Sequence, residues 1–150
     1  MAERERALLV GVVLPASDRT AVEAHLDELT QLVDTAGGEV VGRITQERNA
    51  PDRRLFVGKG KVEEIAEVVE ELGVRLVVFD DDLSSSQVRH LEEALPDGIK
   101  VLDRTGVILD IFALRARTRE AQTQVELAQL NYLSSRLTRR WQRGITPLDK

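Results

Sequence analysis

The residues of this chain that carry chemistry are few, and most are charged. Gly58-Lys59-Gly60-Lys61 stands directly before an amphipathic run. Backbone N–H groups at a helix start attract anions, so Gly58, Lys59, Gly60 and Lys61 are anion-binding candidates. A nucleotide-hydrolysing phosphate loop needs GxxxxGK[ST]. Here Leu55 stands where the first glycine belongs, and Val62 where a hydroxyl would hold magnesium. The competing reading of the four residues is a tight turn that uses two flexible glycines. Asp103-Arg104-Thr105-Gly106 matches the DxxG string of GTPases, but with no phosphate loop upstream the better reading is a helix capped by Asp103 or Thr105. Asp80, Asp81 and Asp82 are hard oxygen donors of the kind magnesium takes. No further acid can be assigned to them, so they read as a solvated loop and no metal site is expected. His25 and His90 have no partner at ligand spacing, and the absence of cysteine excludes thiolate chemistry and disulfides.

The basic residues near the carboxyl terminus are more suggestive. Arg115, Arg117 and Arg119 alternate with Ala116 and Thr118, and Arg136, Arg139, Arg140 and Arg143 bracket Trp141, the single tryptophan. Guanidinium groups bind phosphate and an exposed indole stacks on an unpaired base, so all eight are RNA-binding candidates. The alternative for Trp141 is packing against a partner helix.

The elements that must position these residues can be read from periodicity. Arg6–Leu14 is a continuous apolar run, as in a strand buried on both faces. Val22, Leu26, Leu29, Leu32 and Val33 follow at helical spacing, behind a cap at Ser17 or Asp18 and before Gly37-Gly38. Residues 39–45 read as a second strand, 46–53 as a polar loop, and the run after Lys61 as a helix ended by Gly73. Residues 74–79 give a third strand, Ser84 caps a helix carrying Val88, Leu91 and Leu95, and residues 99–102 give a last short strand. Alternating strands and helices predict an α/β fold: a mostly parallel sheet of four to five strands with helices on both faces, followed by a long C-terminal helix. From Arg104 to about Leu137 only Gly106 interrupts helical character. A single helix of that length spans about 50 Å. Its first part is apolar on several sides and should pack on the sheet. Its second part keeps a narrow stripe, Leu127, Leu130, Leu133 and Leu137, which calls for a partner helix. The expected organisation is an α/β domain over 1–103, a long basic helix over 104–143 and a tail over 144–150.

Charge follows the same division. Residues 1–103 hold 12 basic and 22 acidic groups, a net of −10, and residues 104–150 hold nine basic and four acidic groups, a net of +5. An acidic body with a basic appendage suits a polyanionic partner. The run Ala7–Leu14 is too short for a membrane span or a signal core, which predicts a cytoplasmic protein without membrane contact.

One resemblance gathers these features. The stretch DRTGVILDIFALRARTREAQTQVELAQLNYLSSRL (103–137) resembles the signature segment of HflX-type ribosome-associated GTPases, and FVGKGKVEEI (56–65) and FDDDLSSSQVRHLEEAL (79–95) resemble the same family's N-terminal domain. In that family an α/β unit joins a long helical hairpin, a GTPase domain follows, and the protein binds the large ribosomal subunit to split or rescue stalled ribosomes. The resemblance implies a parallel α/β domain and the first arm of the hairpin here, with residues 137–143 approaching a tip that reaches ribosomal RNA. It matches Arg115, Arg117 and Arg119 to the family's basic segment and Gly58, Gly60 and Lys61 to its glycine turn. Ser134-Ser135 departs from the family's Leu-Pro. The second hairpin helix and the GTPase domain have no counterpart in the 150 residues.

The resulting expectation is a ribosome- and RNA-binding module without catalysis or a cofactor of its own, GTP and magnesium belonging to the full-length family. Its partners would be the large subunit and its RNA, and a GTPase domain or partner helix. Two alternatives remain: a nucleotide-binding or phosphotransfer module using Lys59, Lys61 and the Asp80–Asp82 loop, and a helix-mediated protein-interaction module.

Overall fold

The structure, a computed structural model, describes residues 4–134. Four strands, β1 (Glu5–Val13), β2 (Gly38–Glu47), β3 (Leu76–Phe79) and β4 (Lys100–Asp103), form one parallel sheet in the order β2-β1-β3-β4. The helices are α1 (Arg19–Thr35), α2 (Lys59–Leu72), α3 (Ser85–Ala94), α4 (Arg104–Arg115) and α5 (Arg119–Ser134). The expected α/β class, parallel sheet and terminal helix are all present.

The apolar run of β1 takes a central place because its side chains must be covered on both sides. Leu8, Val10 and Val12 face a core shared with α2 and α3, through Val62, Ile65, Val69, Val88 and Leu91. Ala7, Leu9 and Val13 face the opposite core, with Val22, Leu26, Leu29 and Val33 of α1 and Val107 and Ile111 of α4. Each fully buried Leu or Val contributes about 1.5–3 kcal/mol, so a strand buried twice over anchors the domain.

Local signals set the helix ends. The Asp18 carboxylate accepts from Ala21 N at 2.7 Å to start α1. Ser84 and Gln87 form a capping box at α3, and Gly73 ends α2 in the left-handed conformation at φ 65°. Glu92 of α3 is buried and accepts from Val101 N at 3.1 Å, which satisfies a backbone donor on the edge strand β4.

The single helix expected over 104–137 is instead two helices, α4 and α5. Ala116 is extended (φ −69°, ψ 119°), and the Thr118 hydroxyl accepts from Ala121 N at 3.0 Å, which opens a new helix. No glycine or proline is needed, because a threonine cap competes well with helix continuation. The return also buries Gln129 and Leu133 and brings Tyr132 against the first turn of α4. The leucine stripe divides accordingly: Leu133 is buried, while Leu127 and Leu130 are more than half exposed. In α4, Val107 and Ile111 enter the core, but Phe112 and Leu114 stay exposed. Leu137 and the tail lie outside the described residues.

Candidate nucleic-acid interface

Parallel strands put every carboxyl end on one edge of the sheet and every amino end on the other. Helix α4 begins at the carboxyl edge, right after β4, and runs back. Midway along it, Asp110 shares a small cavity with Glu5 and Gly38, the first residues of β1 and β2. The junction between α4 and α5 therefore projects at the amino edge. Arg115, Arg117 and Arg119 stand there, all exposed, and none forms an ion pair among the described residues. The chain reversal sets all three arginines at the break between α4 and α5. Arg136, Arg139, Arg140, Trp141 and Arg143 lie outside the described residues.

The glycine turn lies at the opposite, carboxyl edge. Neither Gly58 (φ −68°) nor Gly60 has positive φ, so the two-flexible-residue reading is not what the backbone uses. Gly58 is small for another reason: a Cβ there would lie 2.9 Å from Arg48 Nη1 and 3.2 Å from Gln46 Nε2. Gly58 N donates to Gln46 Oε1 at 2.9 Å. The positive φ falls on Phe56 (φ 66°), a buried ring packed edge-on against Phe79 with centroids 6.0 Å apart. That packing, and paired backbone hydrogen bonds between Asp52 and Phe56, hold a conformation an aromatic residue seldom adopts.

Lys59 is exposed at the start of α2, and Lys61 pairs with Glu64 at 3.0 Å. Arg48, Arg53 and Arg54 of the preceding loop join them, and the sequence reading did not single these out. The signal was present as five basic and two acidic groups over 47–61, a net of +3 inside an acidic body. The two acids are engaged: Glu47 pairs with Arg19 at 3.0 Å, and Asp52 accepts from Leu55 N at 2.7 Å and Arg54 N at 2.9 Å. The Leu55 hydrogen bond is the main reason the Asp52 carboxyl sits below its ordinary value, outweighing the opposing effect of burial.

The three consecutive aspartates at the end of β3 are held in place from the other face. Asp80 forms an ion pair with Arg104 at 2.5 Å, and Arg104 also reaches Glu28 at 2.8 Å. His25 Nδ1 is 3.8 Å from Asp80 Oδ2. Thr105 Oγ1 donates to Asp82 at 3.1 Å. Burial, with the charges of Asp80 and Asp82, pushes the Asp81 carboxyl up. These partners belong to α1 and α4, whereas Lys59 and Lys61 belong to α2, which packs on the opposite face of the sheet. No cluster of three or more potential metal ligands occurs among the described residues.

Asp103 caps α4 as expected, accepting from Gly106 N at 3.1 Å. It does more than that. Its Oδ2 accepts from Leu83 N at 3.0 Å, and Tyr132 Oη of α5 donates at 2.9 Å to Oδ1, the oxygen that also accepts from Gly106 N. Gly106 makes this approach possible, since a Cβ there would lie 2.6 Å from Tyr132 Oη. No helix among the described residues is long and apolar enough to cross a membrane.

Comparison with known proteins places this architecture. Residues 23–113 match the model of the GTP-binding GTPase N-terminal family, and residues 115–147 match that of the GTP-binding GTPase middle region. The chain is 45% identical over 135 residues to the GTPase HflX of Caldanaerobacter subterraneus subsp. tengcongensis, covering 90% of this chain and 30% of that protein. It is 52% identical over 116 residues to the GTPase HflX of Escherichia coli K12, covering 77% of this chain and 27% of that one. The chain thus spans about a third of the length of these relatives. Among solved structures, SsGBP in complex with GDP superposes with a TM-score of 0.70 at 24% identity, over 89% of this chain and 36% of that one, a likeness of fold. The chain belongs to the HflX family of GTPases and corresponds to its N-terminal region.

Proposed function

We propose that this chain is the ribosome-facing, RNA-binding part of an HflX-type protein and hydrolyses no GTP by itself. The observation that carries the reading is the exposed triad Arg115, Arg117 and Arg119 at the turn between α4 and α5. Three exposed arginines at the break between two helices suit phosphates on a large RNA. The partner is the large ribosomal subunit and its RNA, and the role is to bring a GTPase to stalled ribosomes. The lack of a phosphate loop in the 150 residues supports a module without catalysis or cofactor. A ribosomal partner implies work in the cytoplasm.

Co-sedimentation with purified large subunits across a salt series tests this. Association that weakens steeply with salt is expected. No association at low salt would remove the reading.

A second reading rests on Phe112, Leu114, Leu127 and Leu130, all more than half exposed on α4 and α5. Large exposed side chains on paired helices favour a helix-mediated contact with a GTPase domain or partner helix. Sedimentation equilibrium of the wild type and Leu130→Asp reads any self-association through this face, and a monomer in both cases removes that form of it.

A further inference from the structure

The loop that joins β2 to α2 carries a second positive surface at the edge opposite Arg115, Arg117 and Arg119. Arg53, Arg54 and Lys59 are exposed, and none forms an ion pair among the described residues. Arg48 stands behind them, with its Nε on Ala50 O at 2.9 Å. The surroundings make this patch unusual: outside residues 47–61, residues 1–103 hold seven basic and 20 acidic groups. The loop is also rigidly placed. Asp52 and Phe56 exchange two backbone hydrogen bonds, and Gln87 Nε2 donates to Asp52 O at 3.0 Å, tying the loop to α3.

A groove of about 830 Å³ between α2 and α3 opens beside these cations. Arg54 and Lys59 stand at its mouth, Leu55, Val62 and Ala66 give it an apolar lining, and His90 borders it. That volume lies in the range that encloses small organic groups. Glu63, Glu67 and Glu93 also line it. Their charges repel a phosphate chain running along the groove, and their oxygens accept from the amino groups of a base.

We infer that this edge binds single-stranded RNA, its phosphates on Arg53, Arg54 and Lys59 and one unpaired base seated in the α2–α3 groove. This rests on the RNA-binding reading above and adds a second contact to it. Cations across the mouth and carboxylates within the groove suit a strand that crosses the opening and turns one base inward. A duplex keeps its bases stacked and satisfies only the cations.

The test uses the whole chain and a labelled single-stranded oligoadenylate of about 12 nucleotides, within the length one such surface covers. Fluorescence anisotropy across a salt series is measured beside co-sedimentation with large subunits. R53Q/R54Q/K59Q is expected to bind at least about tenfold more weakly at low salt and to flatten the log–log salt slope by about two, since each single-strand phosphate contact contributes about 0.7. Ala94→Phe fills the groove from an exposed position of α3 and is expected to weaken binding severalfold with the slope unchanged. Circular dichroism checks that both variants fold. Wild-type slope and affinity in the triple variant would overturn the inference while leaving the first RNA contact standing. An unaffected Ala94→Phe would remove the seated base. Failure of the wild type to bind either probe would remove both readings together.

Discussion

Replacing Gly106 by alanine sets a methyl group 2.6 Å from Tyr132 Oη and 3.0 Å from both Tyr132 Cζ and Leu102 Cδ2. Gly106 is buried in the first turn of α4, so the methyl has no open side to move into. The clash can be relieved only by moving Tyr132, whose hydroxyl is held by Asp103 at 2.9 Å. Overpacking of this kind costs about 1–3 kcal/mol. Losing a hydrogen bond to a charged acceptor costs about 1.5–3 kcal/mol. Alanine returns about 1 kcal/mol of helix propensity over glycine. One movement of Tyr132 relieves the first penalty while incurring the second, so the two do not add, and with the helix-propensity return the net loss is about 0.5–2 kcal/mol. Urea unfolding of the whole chain followed by circular dichroism measures it, with the m-value showing whether the transition stays two-state. Tyr132→Phe removes the atom at 2.6 Å, so G106A/Y132F should lose about 1 kcal/mol less than the two single changes added together. A neutral or stabilising Gly106→Ala, or strict additivity in the double variant, would refute the packing of α5 described here.

Three further outcomes follow from the same geometry. The Asp81 carboxyl is raised by burial and then by Asp80 and Asp82, so the folded state holds its proton more tightly than the unfolded chain does. Its charge removes stability above the raised pKa and none below the unfolded value; Asp81→Asn should therefore stabilise the domain at neutral pH, with the gain fading as pH falls toward about 4. Urea midpoints that respond equally at all pH values would contradict this. R115Q/R117Q/R119Q should flatten the salt slope of large-subunit binding by about two to three, one phosphate contact per arginine, and an unchanged slope would place the contact elsewhere. Thr118→Ala removes the acceptor of Ala121 N and should lower stability by about 1 kcal/mol, measured by thermal melting; no change would mean that the cap is not what starts α5.

Much of the fold was legible because its signals are local. The Val- and Leu-rich run at residues 6–14 had to be covered on two faces and became the central strand. Ser84 announced its helix by residue type alone, and of the paired candidates Ser17 or Asp18 and Asp103 or Thr105 the aspartates are the caps. The break at Ala116–Thr118 was not legible: it contains neither proline nor glycine, and its cause is a threonine cap together with burial of Gln129, Tyr132 and Leu133. Periodicity marked Leu127 and Leu130 as a packing stripe, yet the surface turned toward α4 is set by where the chain reverses. The glycine turn was found for the wrong reason, since the strained residue is Phe56 and Gly58 yields space to Arg48. Arg53 and Arg54 were missed because Asp52 beside them offsets part of their charge in sequence, while in space its carboxylate is turned onto the backbone of its own loop.

The carboxylate of Asp103 bears on how the molecule comes apart. One buried side chain holds Leu83 before α3, Gly106 in α4 and Tyr132 in α5, three segments far apart in sequence. None of them can open without withdrawing a donor from the acceptor the other two share. Helix α5, which by chain order is an appendage, is therefore coupled to the interior as a member of the same cooperative unit. Its amides near Tyr132 should exchange with solvent at rates set by global unfolding, and only the end nearest Arg119 should fray independently.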